Sequence, residues 1–146
     1  MSGFTSTLLT SLAEALDTAG IGVWRPTGPY TADEVAIAIR GIPPAPDRLI
    51  TLSTYRIGDD YPGEQDFVQM VQARFRGSPD PRVVDDLGDA VFELLDSREH
   101  WELGPIHVVY SQRRSDTVLG QDGSRRWEIS HNYALHVMRP TAHRTV

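Results

Sequence analysis

Apolar and polar positions alternate along the chain from Asp66, and the alternation predicts a strand over 67–76. One face of this strand is apolar and the other becomes polar towards its end, where Gln72, Arg74 and Arg76 lie. The apolar face comprises Phe67, Val71, Ala73 and Phe75. Val68 and Met70 make the start of the second face apolar as well, so we expect that end of the strand to be covered on both sides.

The next segment changes to a helical spacing and predicts a helix that begins at the Asp80-Pro81 step. Asp80 can accept hydrogen bonds from the free N–H groups of the first turn, and proline suits the first helical position. The buried stripe consists of Val83, Val84, Leu87, Ala90, Val91, Leu94 and Leu95. Because the strand and the helix each present one apolar face, we expect them to pack together at the centre of the fold.

Similar but shorter patterns predict the remaining elements. A first helix over 4–18 is followed by Gly20, which suits a left-handed C-terminal cap. Further strands are predicted over 21–25, 34–40, 49–57, 106–113 and 127–139. The predicted connections are a stiff, exposed proline-rich loop over 43–47, a loop over 58–63, a polar turn over 97–104 with His100 and Trp101, and a loop over 116–124.

These elements predict a single α+β domain over 1–146. The N-terminal helix lies within 1–20, strands within 21–76, the second helix within 80–97, the C-terminal strands within 105–139 and a frayed tail at 140–146. We expect a mostly antiparallel or mixed β-sheet with both α-helices packed on one face.

Composition narrows the function classes. The 146 residues carry a net charge of −6, which argues against electrostatic binding of nucleic acid. The absence of cysteine excludes disulfides and thiol catalysis and is typical of a protein made in a reducing cytoplasm. The N-terminus lacks a signal-peptide pattern and no apolar run reaches membrane-spanning length, so we expect no membrane partner.

Candidate catalytic or metal-binding patterns are few. His131 and His136 lie five residues apart on a predicted strand and therefore point to opposite faces, which is unsuitable for a shared metal. The acidic pairs Asp59-Asp60 and Asp85-Asp86 are typical of a turn and of the first turns of a helix. We therefore predict no enzyme activity, no catalytic residues, no metal and no cofactor. A small hydrolase or transferase without a recognisable motif stays open as an alternative, as does an adaptor that binds through a sheet edge.

Four stretches in order resemble the minor capsid or tail terminator proteins of long-tailed bacteriophages, especially those that infect actinobacteria. They are 30–34, 45–52, 71–77 continuing into 80–87, and 119–122 followed by 126–133. The resemblance implies a non-catalytic virion protein that forms a ring, commonly a hexamer, on the head-proximal end of the tail tube. Such a ring ends polymerisation of the major tail tube protein and binds the head connector or stopper, and phage DNA crosses its lumen without specific binding. Another head–tail joining protein, such as a stopper or connector-completion subunit, is the alternative within this class.

A closed ring needs two different patches that meet between neighbouring subunits. We predict that the polar strand face and the hairpin 113–126 supply such patches. The predicted interface residues are Gln72, Arg74, Arg76, Leu119, Gln121, Asp122 and Arg126. Replacement of Arg74 and Arg76 by glutamate is expected to leave a folded monomer that forms no ring.

Overall fold

A computed structural model describes residues 3–58 and 62–145. These residues form two helices and one seven-stranded sheet. The elements in chain order are α1 (Phe4–Thr18), β1 (Val23–Trp24), β2 (Ala36–Ile39), β3 (Leu49–Tyr55), β4 (Asp66–Arg76), α2 (Pro81–Leu95), β5 (Arg98–Leu103), β6 (Ile106–Gln121) and β7 (Trp127–Met138). No helix in the described ranges has the length and apolar content needed to cross a membrane.

The strands lie in the order β1-β2-β3-β4-β7-β6-β5, so β4 is the central strand. The pairs β1–β2 and β2–β3 are parallel, and the other four pairs are antiparallel. The α+β class with a mixed sheet is therefore confirmed. The predicted strands at 21–25, 34–40 and 49–57 are present but shorter: the first two lose residues at both ends, and the third ends at Tyr55.

Both helices pack on one face of the sheet. Directly opposed residues of antiparallel strands point to the same face, and β4 and β7 oppose Val71 to Tyr133 and Phe75 to Ile129. These residues share one buried cluster with the helical residues Leu8, Leu9, Leu12, Leu16, Val84, Val91 and Leu95. The expected packing of the 67–76 strand against the second helix is confirmed.

The helix ends follow the sequence signals. Gly20 has a φ of +77° after α1, and the N–H of Ile21 donates to the carbonyl of Leu16 at 3.0 Å. At the start of α2, Asp80 Oδ1 accepts a hydrogen bond from the N–H of Arg82 at 3.0 Å. Both predicted caps are confirmed.

Gly88 sets how closely α2 approaches the sheet. A Cβ added at this position would lie 2.9 Å from Cδ1 of Ile129 and 3.0 Å from Cε1 of His131. The helix therefore passes directly over β7 at a point where any larger residue would force the side chains of Ile129 and His131 to shift.

The polar turn predicted over 97–104 is wrong. Residues 98–103 form β5, an edge strand that pairs with β6 and directs Trp101 and Leu103 into the core. Only two apolar residues alternate in this stretch, which is too short a pattern to reveal a strand among charged neighbours.

The loop predicted over 116–124 is also wrong. Strand β6 continues to Gln121 and pairs there with Trp127, so the turn is confined to 122–126. Register shifts interrupt β6 between 108 and 110, between 113 and 115 and between 118 and 120. Because each bulge reverses the alternation of side chains, no period-two pattern runs through the strand.

The C-terminal tail differs from the prediction. Residues 141–145 are hydrogen-bonded and not frayed, since the N–H of Thr145 donates to the carbonyl of Gly63 and Arg144 donates to the carbonyl of Glu64.

The proline-rich loop is only partly exposed, because Pro46 is buried although its neighbours are exposed. Residues 59–61 of the loop predicted at 58–63 lie outside the described residues.

Candidate assembly surfaces

The sheet face opposite the helices, called here the open face, has a polar centre and no helix over it in the described part of the chain. Ser53, Gln72, Asn132 and Ser115 follow one another across β3, β4, β7 and β6. Asn132 Nδ2 donates to Ser115 Oγ at 2.9 Å. These neutral groups are accessible and can hydrogen-bond to another protein without a net charge.

Arg74 also lies on the open face and remains accessible. Its Nη2 is 2.8 Å from Oε1 of Glu128, and Nε donates to the same oxygen at 3.0 Å. The Arg74 side chain is 38% exposed, whereas that of Glu128 is 11% exposed. The pair neutralises the charge on the face while leaving one edge of the guanidinium free for a neighbour.

Arg76 behaves differently although it is only two residues away. It is 3% exposed, and its guanidinium donates to the carbonyls of Pro43, Pro46 and Asp47 at 2.7–3.0 Å. Burial and the nearby Arg126 charge lower the pKa of Arg76. This side chain fixes the proline-rich loop and is not accessible to another subunit, so the expectation that Arg74 and Arg76 act alike needs correction.

Asp122 and Arg126 organise the turn between β6 and β7. Asp122 Oδ1 accepts from the N–H groups of Ser124 and Arg126, each at 2.9 Å, and Oδ2 accepts from Arg126 Nε at 2.9 Å. Burial alone would raise the pKa of the Asp122 carboxyl, but these donors outweigh it and lower the pKa. Arg126 Nη1 donates in turn to the carbonyl of Pro44 at 2.7 Å. The hairpin end is thereby tied to the proline-rich loop.

The outer edge of β6 is unpaired along its second half. Pairing with β5 ends at Ser111, so within the described ranges residues 112–121 pair with β7 only. We call this segment the free edge. Val118 and Leu119 on it are 66% and 48% exposed. Exposed apolar side chains on an unpaired strand are a feature that proteins normally cover.

A pocket of about 500 Å³ lies at the end of the open face that is farther from Arg76 and the hairpin turn. We call it the end pocket. Val68, Met70, Tyr110, Arg114 and His136 are among its lining residues. The rings of Tyr110 and His136 stack with centroids 3.8 Å apart. His136 Nε2 is buried without a hydrogen-bond partner in the described structure, and burial together with the Arg114 charge lowers the pKa of this imidazole.

His131 has a structural environment on the other face. It is buried, its Nδ1 lies 3.2 Å from the hydroxyl of Tyr133, and its ring meets that of Phe75 edge-on. The prediction that His131 and His136 point to opposite faces is therefore confirmed. Among the described residues, no group of three or more His, Cys, Asp or Glu side chains could hold a metal ion.

A comparison with protein families places these surfaces in context. The family model described as bacteriophage tail terminator protein matches residues 15–139. The chain belongs to the bacteriophage tail terminator family. A comparison with curated proteins gave no match.

The resemblance inferred from the four sequence stretches is thus confirmed. As a tail terminator, the protein is a structural component of the phage tail and hence of the virion. The family is a structural one, so the open face, the free edge and the end pocket are best considered as surfaces for other tail and head proteins.

The seven predicted interface residues of this tail terminator fall into three groups. Gln72 and Arg74 lie at the centre of the open face, and Leu119 and Gln121 lie on the free edge. The remaining residues form the tie between the hairpin end and the proline-rich loop: Arg76, Asp122 and Arg126.

Sequence reasoning did not single out four residues of these surfaces, namely Val68, Tyr110, Val118 and His136. Val118 lay in a stretch interpreted as a loop. Val68 was noted only as apolar, and its exposure of 38% shows that nothing in the described chain covers it fully. The available signal was therefore an apolar residue on a polar face, which by itself predicts burial rather than an interface.

Proposed function

We propose that this tail terminator assembles into a ring, expected to be a hexamer, at the head-proximal end of the tail tube. There the ring stops polymerisation of the major tail tube protein and offers a binding surface to the head connector or stopper. Assembly takes place in the host cytoplasm, and phage DNA crosses the lumen in the finished virion. The observation that carries the proposal is the family match over 15–139.

The distribution of accessible surfaces supports a ring. A ring is built from heterologous contacts, in which one patch meets a different patch on the next subunit. The chain offers two such patches: Gln72 and Arg74 lie on the open face, and Leu119 and Gln121 lie on the free edge. We propose that these four residues contact neighbouring subunits and that Arg76, Asp122 and Arg126 position the hairpin that carries the second patch.

The charge of the chain supports the passage of DNA without retention. A DNA-binding lumen would need arginine or lysine side chains free to contact phosphates. The net charge is −6, and Arg74 on the open face is already paired with Glu128. We therefore expect no salt-dependent binding of duplex DNA to the assembled ring.

The proposal is tested by polymerising purified tail tube protein with and without this chain. Electron microscopy is expected to show shorter tubes with a distinct ring at one end when the chain is present. Tubes of unchanged length without an end ring would overturn the proposal. Binding to connector rings without binding to tubes would instead favour the stopper function.

The subunit interface is tested by mass measurement of the assembled ring. Native mass spectrometry is expected to give six times the 16.3 kDa of one chain. Arg74→Glu should abolish this species, because it replaces the cation proposed to contact the next subunit by a second carboxylate beside Glu128. Arg82→Glu is the matched control, since Arg82 also forms an exposed ion pair but lies on α2. Equal loss of the ring in both variants would exclude Arg74 from the interface.

A further inference from the structure

Two exposed apolar features lie at opposite ends of the same sheet. Val118 on the free edge is opposite Ile129, and Val68 at the end pocket is opposite His136. Seven residues of β7 separate these positions, a distance of about 23 Å along the strand. Although Arg114 at the start of the free edge lines the end pocket, Val118 and Leu119 lie too far along the strand to reach the end pocket of the same chain.

We propose that Val118 and Leu119 of one copy dock into the end pocket of the next copy. The inference rests on the proposed ring and names the contact that builds it. Two unlike patches on one chain give a head-to-tail contact, which is the type that a cyclic ring requires.

The apolar groups of the two patches match in character. Val68 is 38% exposed and lines the pocket above the buried Met70, and the pocket leaves about 500 Å³ open to solvent. Val118 and Leu119 are aliphatic and more than two-fifths exposed in the single chain. Docking would remove both sets of apolar surface from water, and the flexible thioether of Met70 can adapt to the incoming side chains.

The polar groups match as well. His136 Nε2 in the pocket is buried without a partner in the described structure. The free edge carries outward-directed backbone N–H and C=O groups that pair with no strand in the described ranges. If the His136 ring turns outward on docking, a carbonyl can accept from a protonated Nε2, or an N–H can donate to an unprotonated one, so one contact can satisfy groups on both sides.

Groups of opposite charge are present at the two ends. Glu64 and Asp66 are exposed at the pocket, which Arg114 also lines and where it offsets part of their charge. Arg125 is exposed in the hairpin turn and forms no ion pair within the described structure. Attraction between these groups would fix the orientation of the docked hairpin more than it would raise the affinity.

The first test uses the absence of cysteine in the chain. In a Val68→Cys/Leu119→Cys variant, the two thiols lie too far apart in one chain to form a disulfide, which needs Cα atoms within about 7 Å. Oxidation is therefore expected to give a ladder of covalent oligomers on a non-reducing gel. Glu14→Cys/Leu119→Cys is the matched control, because Glu14 is also exposed but lies on α1, and it should give no ladder.

The second test mixes two variants that each keep one intact patch. Val118→Asp/Leu119→Asp and Val68→Asp alter exposed positions, and circular dichroism and urea unfolding would confirm that both variants fold. Each variant alone is expected to stay monomeric. An equimolar mixture is expected to form one-to-one dimers and no rings, because only one type of contact remains possible.

The outcomes separate this inference from the ring itself. Rings that form normally, without the Val68–Leu119 crosslink and without dimers in the mixture, would overturn the docking and leave the ring proposal intact. A Val118→Asp/Leu119→Asp variant that still forms rings but no longer binds tubes would assign the free edge to the tube protein and overturn the inference. A chain that stays monomeric both alone and with tubes would overturn the ring proposal and the docking together.

Discussion

The two ends of the open face are built from the same strands, β4 and β7, but they satisfy their polar groups in different ways. At one end, Arg76 donates to three carbonyls of the proline-rich loop and is closed off from solvent. At the other end, His136 Nε2 has no partner in the described structure and borders an open pocket. The first arrangement serves the stability of the single chain, whereas the second leaves a buried polar group unsatisfied at the place where we propose that another chain docks.

The difference shows why a polar sheet face is not a uniform interface. Arg74 and Arg76 point to the same side of β4, yet the Arg74 side chain is 38% exposed and Arg76 is buried. Substitutions along this face should therefore affect either folding or assembly, depending on the end at which they lie.

The largest effect on the free energy of unfolding is expected at the end of the open face where Arg76 binds the proline-rich loop. Arg76→Met should lower the free energy of unfolding by about 3 kcal/mol, because three carbonyls lose a charged donor. Arg76→Glu should not fold, because it would place a carboxylate against those carbonyls. Urea unfolding monitored by circular dichroism checks this, with Arg74→Met as the control. A stable Arg76→Met protein would show that the loop holds its position without this side chain.

Asp122→Ala should have the next largest effect and lower the free energy of unfolding by about 1.5 kcal/mol, through the loss of the hydrogen bonds that the carboxylate accepts. The pKa of Asp122 is lowered in the folded chain, so its contribution is present above the ordinary aspartate pKa of about 3.9 and is lost as the pH falls. The stability difference between wild type and variant should therefore shrink below about pH 4. Urea unfolding at neutral and acidic pH measures it, and a constant difference would contradict the assignment.

At the end pocket, a substitution is expected to raise the free energy of unfolding instead of lowering it. His136→Phe should raise the free energy of unfolding of the single chain by about 1 kcal/mol, because it removes an unpartnered buried nitrogen and keeps an aromatic ring against Tyr110. The pKa of His136 is lowered by burial, so wild type loses stability as the pH falls below about 6.5, and the variant should lose less. His131 also has a lowered pKa and would keep part of this dependence.

The same His136→Phe protein should assemble less well if backbone groups of a neighbouring copy hydrogen-bond to His136 in the end pocket. Thermal unfolding of the monomer and native mass spectrometry of the ring would be measured on the same preparation. If His136→Phe lowers the stability of the monomer, or raises it without reducing assembly, the proposed contrast between a stabilising end at Arg76 and an assembly end at His136 is wrong.

The smallest effect on folding is expected at the centre of the face. Arg74→Gln should change the free energy of unfolding by no more than about 0.5 kcal/mol, because its ion pair with Glu128 is partly exposed to water. Its effect should be on assembly, measured as a rise in the concentration at which rings form. A loss of stability as large as that of Arg76→Met would mean that both arginines are structural.

The accuracy of sequence-based prediction follows the length of each regular pattern. The 67–76 strand and the helix predicted within 80–97 have sustained periods and lie within two residues of their observed bounds. Strand β5 carries two apolar residues among charged ones, and β6 is broken by three register shifts, so neither could be found in full. Strand β6 provides both the free edge and the tyrosine of the end pocket, and for that reason the candidate site was predicted only in part.

The predicted interface shows the same limit at the level of single residues. Arg74 and Arg76 are identical in type and share one strand face, and no local rule distinguishes them. The distinction comes from Pro43, which lies 33 residues before Arg76 and brings its carbonyl to the guanidinium. Only the position of a distant loop decides that one arginine is buried and the other is available.

The sequence by itself determined the strand-and-helix unit over 66–96, the caps of both helices and the α+β class, because these depend on residues close together in the chain. The tertiary structure alone decided which strand lies beside which, where β6 becomes an unpaired edge and where the open face remains uncovered. These features depend on the register between segments far apart in sequence, since a side chain is buried or accessible according to what the rest of the chain places over it.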